Sequence, residues 1–175
     1  MEFALLGWPG DGPTLRLDYR EFAYAGKFVM SNTGKAVARE DGEILGAVAF
    51  NADRTDPETA WIRYVTVRED RRGEGIGPRL CAFAVERLRE RFSTVSIAVN
   101  NPFAYEALYK AGFAFTGETT GVAELVLRTD APRTQERYQS GLEEYRKRDL
   151  SAAEETFLDT RIDTGPPAPT HETEP

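Results

Sequence analysis

The segment from residue 60 to residue 92 constrains the fold most, because it predicts a strand, a glycine-rich turn and a helix in direct succession. Residues 60–67 (Ala-Trp-Ile-Arg-Tyr-Val-Thr-Val) are β-branched and aromatic, which favours a strand. Glycines then stand at positions 73, 75 and 77. From Pro78, which suits a first helical turn, apolar residues recur every fourth position at Leu80, Ala84, Leu88 and Phe92. A helix is therefore predicted over 78–92.

This turn has the composition of a phosphate-binding site. A helix N-terminus offers unpaired backbone N–H groups and a positive dipole end, and glycine lets the backbone approach a ligand closely. A dinucleotide-binding G-x-G-x-x-G motif would need glycine where Pro78 stands, and the Gly34-Lys35 pair is followed by Ala36 rather than by the Ser or Thr of a Walker loop. The residues therefore predict a pyrophosphate-binding turn that is neither a dinucleotide-binding motif nor a Walker loop.

The remaining pattern is mixed α and β, with two βα units in the second half. Strands are predicted over 2–8 and 94–99, a hairpin over 35–39 and 43–50, and a last strand pair over 113–115 and 123–128. A helix is predicted over 102–111, ended by Gly112. Residues 15–28 fit both an alternating strand pattern and helical spacing, and we expect a helix there.

Composition excludes several classes of function. The formal net charge of −7 argues against nucleic acid as a main partner. One cysteine, Cys81, and one histidine, His171, argue against disulfides, thiol or histidine metal sites and histidine-dependent catalytic triads, so no metal is expected and Cys81 is predicted to lie in the core. The start of the chain lacks a basic n-region, and no apolar run approaches about 20 residues. We therefore expect a cytoplasmic protein that does not bind membranes.

The turn resembles the signature Arg/Gln-x-x-Gly-x-Gly/Ala of the GNAT family of N-acetyltransferases, which falls on Arg72, Gly75 and Gly77. The resemblance implies that acetyl-CoA is the co-substrate and that a primary amine, on a small molecule or a protein, accepts the acetyl group. It also implies an α/β (mixed α+β) fold, with a mostly antiparallel twisted sheet and helices on both faces. The cofactor-binding residues it implies in this part of the chain are Val65, Thr66 and Val67 for the pantetheine arm, and Arg72, Gly73, Glu74, Gly75, Ile76, Gly77 and Pro78 for the pyrophosphate.

A second block, from Asn101 to Gly112-Phe113, is similar to the family's Asn-x-x-Ala…Gly-Phe motif. It implies that Asn101 contacts the pantetheine or acetyl end of the cofactor. With both motifs in order, the resemblance covers residues 1–128, which we take as the acetyltransferase domain.

The positions at which family members carry catalytic side chains hold other residues in this chain. The tyrosine that members carry seven residues after the Asn is Leu108 here, and the glutamate that some carry five residues before it is Ser96. At about 100° per residue, Tyr105 points some 40° from Asn101 and Tyr109 some 80°. We therefore predict Tyr105, with Tyr109 beside it, as the acid for the leaving thiolate, and Glu58 as a base acting through water. Ordinary packing is the alternative for both tyrosines.

The acceptor cannot be read from these motifs. We expect residues 9–28 and the loop over 116–122 to shape its site. Glu118 in that loop is a candidate partner for a cationic amine, with an ordinary solvated loop glutamate as the alternative. Besides an active enzyme, two other functions fit the sequence, namely a non-catalytic acyl-CoA-binding module and an assembly role for the C-terminal helices.

Residues 129–175 are predicted to be a helical extension followed by a disordered tail. Tyr138, Leu142 and Tyr145 form one apolar stripe on a charged helix over 133–148, and residues 151–158 fit a second short helix. The proline-rich stretch from Gly165 predicts disorder. A helix this polar needs its stripe buried, so we expect it to dock on the same chain, with a homodimer as the alternative.

Overall fold

A computed structural model describes residues 1–170, which form two compact units, Met1–Val95 and Ser96–Pro169. The described residues contain seven β-strands, mostly antiparallel, and four α-helices, which confirms the predicted mixed α/β class. Residue 171, the single histidine, lies outside the described residues with the rest of the predicted tail over 171–175. The domain boundary after residue 128 stays a prediction.

The first unit is an antiparallel meander of four strands covered by one helix. The strands are β1 (Glu2–Gly7), β2 (Gly34–Glu40), β3 (Glu43–Ala52) and β4 (Thr59–Val67), paired in that order, and the helix is α1 (Ile76–Leu88). The predicted hairpin between β2 and β3 is confirmed. Its turn residues Asp41 and Gly42 both have positive φ, 52° and 81°, as the two-residue turns that match strand twist require.

Helix α1 packs on β2, β3 and β4 through the predicted apolar stripe, and Leu80, Ala84 and Leu88 are buried. It begins two residues before Pro78 and ends at Leu88, so the predicted end at Phe92 was four residues too late. Cys81 is buried in this interface, as predicted, and burial raises the pKa of its thiol to about 12.

The helix predicted over 15–28 was wrong. This segment forms turns and one 3₁₀ helix, Ala25–Val29. Leu15 and Leu17, which follow the alternating pattern, pack on a core cluster centred on Phe28. The Asp18 carboxylate accepts hydrogen bonds from the backbone and side chain of Arg20, which holds a local turn and competes with a helix.

The second unit contains the remaining strands and helices. The elements are β5 (Thr94–Val99, which begins just before the unit boundary), α2 (Pro102–Lys110), β6 (Ala114–Thr119), β7 (Leu125–Arg128), α3 (Gln135–Arg146) and α4 (Ala152–Asp159). Strand β7 pairs antiparallel with both β5 and β6. Because β6 continues to Thr119, the loop predicted over 116–122 is shorter than expected.

The predicted docking of the C-terminal extension on its own chain is confirmed within the second unit. Tyr138, Leu142 and Tyr145 are all buried, and α3 packs against β6. Helix α4 packs against α2, where the Arg161 Nε lies 2.8 Å from a carboxylate oxygen of Glu106. Over residues 1–170, no helix is long and apolar enough to cross a membrane.

Candidate active site

The glycine turn lies between β4 and α1 and has the backbone shape that phosphate binding needs. Gly73 and Gly75 both have positive φ, 84° and 79°, a conformation that side-chain-bearing residues rarely adopt. Gly75 is the N-cap residue of α1, and no side chain caps the helix there. Since Pro78 has no N–H, the N–H groups of Ile76 and Gly77 are the donors of the first turn.

The space over this turn is open. A Cβ atom added at Gly73 or Gly75 would meet no atom within 4 Å, and one at Gly77 would meet only the Val67 side chain, at 3.6 Å. Open space beside uncapped helix donors is where an anionic group binds with least cost. The residues present therefore fit a pyrophosphate.

Three arginines precede the turn, and two of them are engaged by carboxylates. Arg68 pairs with Asp70, and Arg71 pairs with Glu74 at 2.9 Å, a hydrogen bond that is the main reason for the raised pKa of Arg71. Arg72 instead donates its Nε to the carbonyl of Val67 at 3.3 Å. Among the described residues no carboxylate lies within ion-pairing distance of Arg72, so its charge is available to a ligand.

The end of β4 holds the three residues expected to face the pantetheine arm. Val65, Thr66 and Val67 pair with β3, and the Thr66 hydroxyl is buried without a hydrogen-bond partner among the described residues. The register shifts just before them, so that Arg63 is an extra residue in β4. The sequence pattern did not point to Arg63, because a bulge leaves a run of strand-forming residues unchanged.

Glu58 lies at the other end of β4, immediately before its first residue. Its carboxylate accepts a hydrogen bond from the Ser93 hydroxyl at 2.8 Å. Seven residues separate it from Val65, which is about 23 Å along a strand. Its role as a base stays a prediction, and the strand places Arg63 and Tyr64 nearer to Val65 than Glu58.

Asn101, in the second unit, begins α2. Its Oδ1 accepts a hydrogen bond from the N–H of Ala104 at 2.8 Å, which caps the helix, and its Nδ2 lies 3.4 Å from Asn100 Oδ1. One end of the Asn101 amide is thus used by the fold. A contact from the amide nitrogen to the cofactor stays a prediction.

Tyr105 and Tyr109 lie one turn apart on α2, and both are fully buried. The Tyr105 hydroxyl donates to the carbonyl of Tyr138 at 3.0 Å, and the Tyr109 hydroxyl accepts from the N–H of Phe115 at 2.9 Å. Burial, reinforced by the neighbouring tyrosines, raises the pKa of Tyr105 far above its usual value. Each hydroxyl therefore has a structural partner, and a catalytic role for either stays a prediction.

The model of the acetyltransferase (GNAT) family matches residues 3–113 of the chain. The chain belongs to the GNAT acetyltransferase family. The matched range includes the glycine turn and ends at Phe113, the last residue of the second predicted motif. The suspected resemblance is therefore confirmed. A comparison with curated protein sequences gave no match.

Solved structures with a similar fold include other acetyltransferases. A nourseothricin acetyltransferase is 25% identical, with 57% of this chain and 66% of that chain covered and a TM-score of 0.46. A ribosomal-protein-alanine N-acetyltransferase from Brucella melitensis is 21% identical, with 55% and 67% covered and a TM-score of 0.48. A Bacillus subtilis acetyltransferase in complex with CoA is 20% identical, with 57% and 78% covered and a TM-score of 0.47. The chain thus spans just under two thirds of the first of these structures.

Within residues 1–170, no three His, Cys, Asp or Glu side chains are grouped as metal ligands would be. The predicted absence of a metal stays a prediction.

Proposed function

We propose that this GNAT protein transfers the acetyl group of acetyl-CoA to a primary amine of an acceptor. The observation that carries the proposal is the N-terminus of α1, where Gly75 adopts a left-handed conformation with open space above it and no side-chain cap. Such a terminus binds phosphate through backbone N–H groups, and the family match supplies the kind of phosphate ligand. A cytoplasmic location and a homodimer both stay predictions.

We assign most of the proposed cofactor contacts to the first unit and one contact to the start of α2. The N–H groups of Ile76 and Gly77 bind the pyrophosphate, with the Arg72 guanidinium nearby, and β4 from Val67 back to Val65 binds the pantetheine arm. Asn101 would act from the second unit. Bound acetyl-CoA supplies a thioester whose carbonyl can be attacked by an amine.

The chain's own contribution to the reaction is positioning and proton handling. The attacking amine must be neutral, so a base or water has to take its proton, and Glu58 is the proposed base through water. Tyr105 is the proposed acid, although its proton already bonds to the Tyr138 carbonyl. Much of the acceleration of acyl transfer can come from orientation and backbone N–H groups without either side chain.

Two measurements test the proposal. Calorimetry with CoA should show binding, and incubation with acetyl-CoA and a panel of amines should release CoA thiol when an acceptor is present. CoA binding without thiol release for any amine would favour the non-catalytic acyl-CoA-binding module. No CoA binding at all would contradict both functions.

A further inference from the structure

The first unit contains a cleft of about 410 Å³ that the family match does not account for. Lys27, Arg54 and Arg63 contribute three cations to its wall, and no carboxylate is among the described residues that line it. This contrasts with the whole chain, which has 29 acidic and 22 basic residues. A pocket of this size suits a small molecule, and its charge suits an anionic one.

Among the described residues, the charge of Asp53 offsets part of the positive charge of the cleft. Arg54 makes no hydrogen bond or ion pair with any described residue. The carboxylate of the preceding residue, Asp53, accepts hydrogen bonds from the Thr55 N–H at 2.8 Å and from the Trp61 indole at 2.5 Å. These hydrogen bonds lower the pKa of Asp53 to about 2, and the bond from the Thr55 N–H has the largest effect. The carboxylate therefore stays charged while it is hydrogen-bonded to Thr55 and Trp61. Burial lowers the pKa of Arg63, the charge of Asp53 partly offsets this effect, and the charge of Arg54 lowers the pKa further.

A buried hydroxyl in the same wall also lacks a partner. Thr33 is 5% exposed, and its Oγ1 makes no hydrogen bond to any described residue. A buried hydroxyl without a partner is destabilising unless a ligand oxygen or water forms a hydrogen bond with it. Thr33 lines the cleft with the cations, so its hydroxyl can donate a hydrogen bond to a bound anion.

Polar contacts hold one cation of the wall and a lysine behind it. Asn51 Oδ1 accepts a hydrogen bond from Arg63 Nε at 2.7 Å, which fixes the plane of the guanidinium. Lys35 is fully buried and donates to the carbonyls of Pro13, Met30 and Thr33, and its desolvation lowers its pKa. Although Arg63 is exposed to solvent, a donor that is already held in place loses less entropy when a ligand binds.

The position of the cleft on β4 links it to the proposed reaction. Arg63 and Tyr64 directly precede Val65, and the proposed pantetheine arm runs from the glycine turn back along Val67 to Val65. Tyr64 lies roughly 10 Å from Val67 along the strand. The cleft is therefore where an acceptor would meet the acyl end of the arm, and it is distant from the turn that would hold the phosphates of CoA.

We infer that this cleft binds the anionic group of the acceptor, so that the substrate is a small amine carrying a carboxylate or a phosphate. The inference rests on the proposed acetyl transfer. Lys27, Arg54 and Arg63 supply the charge, the Thr33 hydroxyl supplies a neutral hydrogen bond, and Tyr64 forms an aromatic wall with the Lys27 ammonium 5.7 Å from its ring centre.

The first part of the test uses matched pairs of amines with the full-length protein. β-Alanine is compared with its amide, and O-phosphoethanolamine with ethanolamine, by CoA thiol release. We expect kcat/KM for at least one anionic member to exceed that of its neutral partner by about tenfold or more, since a hydrogen-bonded ion contributes more than a neutral group. The pair that shows the preference distinguishes carboxylate from phosphate. Equal rates for both members of both pairs would overturn the inference.

The second part uses variants and a binding readout that does not need turnover. Arg54→Gln should raise the KM of the preferred anion about tenfold, and Thr33→Val should raise it several-fold without destabilising the fold. Arg20→Gln, whose exposed guanidinium pairs with Asp18, is the matched control and should change nothing. NMR titration of phosphoethanolamine and β-alanine into the CoA complex should show binding that Arg54→Gln weakens.

Calorimetry with CoA on the same variants separates the two hypotheses. Unchanged CoA affinity in Arg54→Gln, with weakened binding of the anionic probe, supports the cleft as an acceptor site. If no amine is acetylated but Arg54-dependent probe binding persists, the proposed transfer fails while the anion site stands. If the probe does not bind, or if it binds equally well to the wild-type protein and to Arg54→Gln, the anion site is rejected even if acetylation occurs.

Discussion

Two glycines in helices of this protein are required for opposite physical reasons. Gly75, at the start of α1, has open space on the side where a Cβ would stand, and its left-handed backbone disfavours residues with side chains. Gly141, within α3, is surrounded: an added Cβ would lie 2.1 Å from the Tyr105 hydroxyl oxygen. The first glycine leaves room for a ligand, and the second leaves room for a neighbouring side chain.

The polar groups around these glycines differ in the same way. At the α1 terminus the backbone donors have no side-chain cap. Around Gly141 the buried hydroxyls are used: Tyr105 donates to the Tyr138 carbonyl, and Tyr145 donates to the Val99 carbonyl at 3.2 Å. Unsatisfied groups beside open space indicate a binding site, whereas satisfied groups in a filled space indicate packing.

The largest expected effect is on the packed region. Ending the chain after Thr129 removes α3 and α4 and exposes the buried rings of α2. Each fully buried large apolar side chain is worth about 1.5–3 kcal/mol, so the loss approaches the whole stability of a typical domain. Amide hydrogen exchange should show that residues 96–128 lose protection. A chain ending at residue 149, which loses only α4, should keep most of it, and full protection in the shorter fragment would contradict the packing role.

The open region is tested by Gly75→Val. The side chain would occupy the space above the turn and strain the backbone, so CoA affinity measured by calorimetry should fall by about 100-fold or more. Gly42→Val is the matched control, because Gly42 has nearly the same φ, also has no atom within 4 Å of an added Cβ, and lies in the β2–β3 turn. It should lose stability by about 1–2 kcal/mol and bind CoA normally. Equal CoA affinities in the two variants would show that the space above Gly75 is not a binding site.

Gly141→Ala should destabilise the protein, although glycine inside a helix is worth about 1 kcal/mol less than alanine. The new methyl group would overlap the Tyr105 ring, whose atoms lie within 2.7 Å of it, and overpacking of a core costs about 1–3 kcal/mol. Ser140→Ala, at the exposed neighbouring position, should change stability by no more than about 0.5 kcal/mol. Urea unfolding measures both, and a more stable Gly141→Ala protein would show that the α2–α3 packing is looser than described.

The sequence predicted the strand, turn and helix around Gly75 far better than residues 15–28 or the cationic cleft. The turn has its glycines, its preceding strand and its following helix in one continuous stretch, so local rules sufficed. Residues 15–28 were misassigned because Leu15 and Leu17 pack on a core cluster that includes residues of β2 and β3, which is a tertiary contact. The hydrogen bonds from Arg20 to Asp18 also hold a local turn that competes with a helix. The cationic cleft draws on positions 27, 33, 54 and 63, which no local pattern connects.

The tyrosines of α2 show the same limit. Helical geometry placed Tyr105 about 40° from Asn101 and suggested an acid, because the sequence does not show that α3 covers this face. In the structure Tyr105 is among the largest fully buried side chains. A residue's angle on a helix predicts which face it occupies, and the partner of that face decides whether the residue meets a ligand or the core.

The smallest expected effect compares Tyr109→Phe with Tyr105→Phe. Losing the Tyr109 hydroxyl leaves the buried N–H of Phe115 without the partner it has at 2.9 Å, which should cost about 1–3 kcal/mol of unfolding free energy. Losing the Tyr105 hydroxyl costs less, about 1 kcal/mol, because the Tyr138 carbonyl lies within α3 and can keep its helical hydrogen bond.

Packing therefore predicts that Tyr109→Phe is the less stable protein and that both keep turnover within about threefold once the folded fraction is equal. A side-chain acid is worth about 10²–10⁴-fold, and the hypothesis drawn from the sequence predicts the larger loss for Tyr105→Phe. Thiol-release rates at a temperature where both variants are folded distinguish the two, because a loss of that size in Tyr105→Phe alone would require its buried hydroxyl to reach the reacting thiolate.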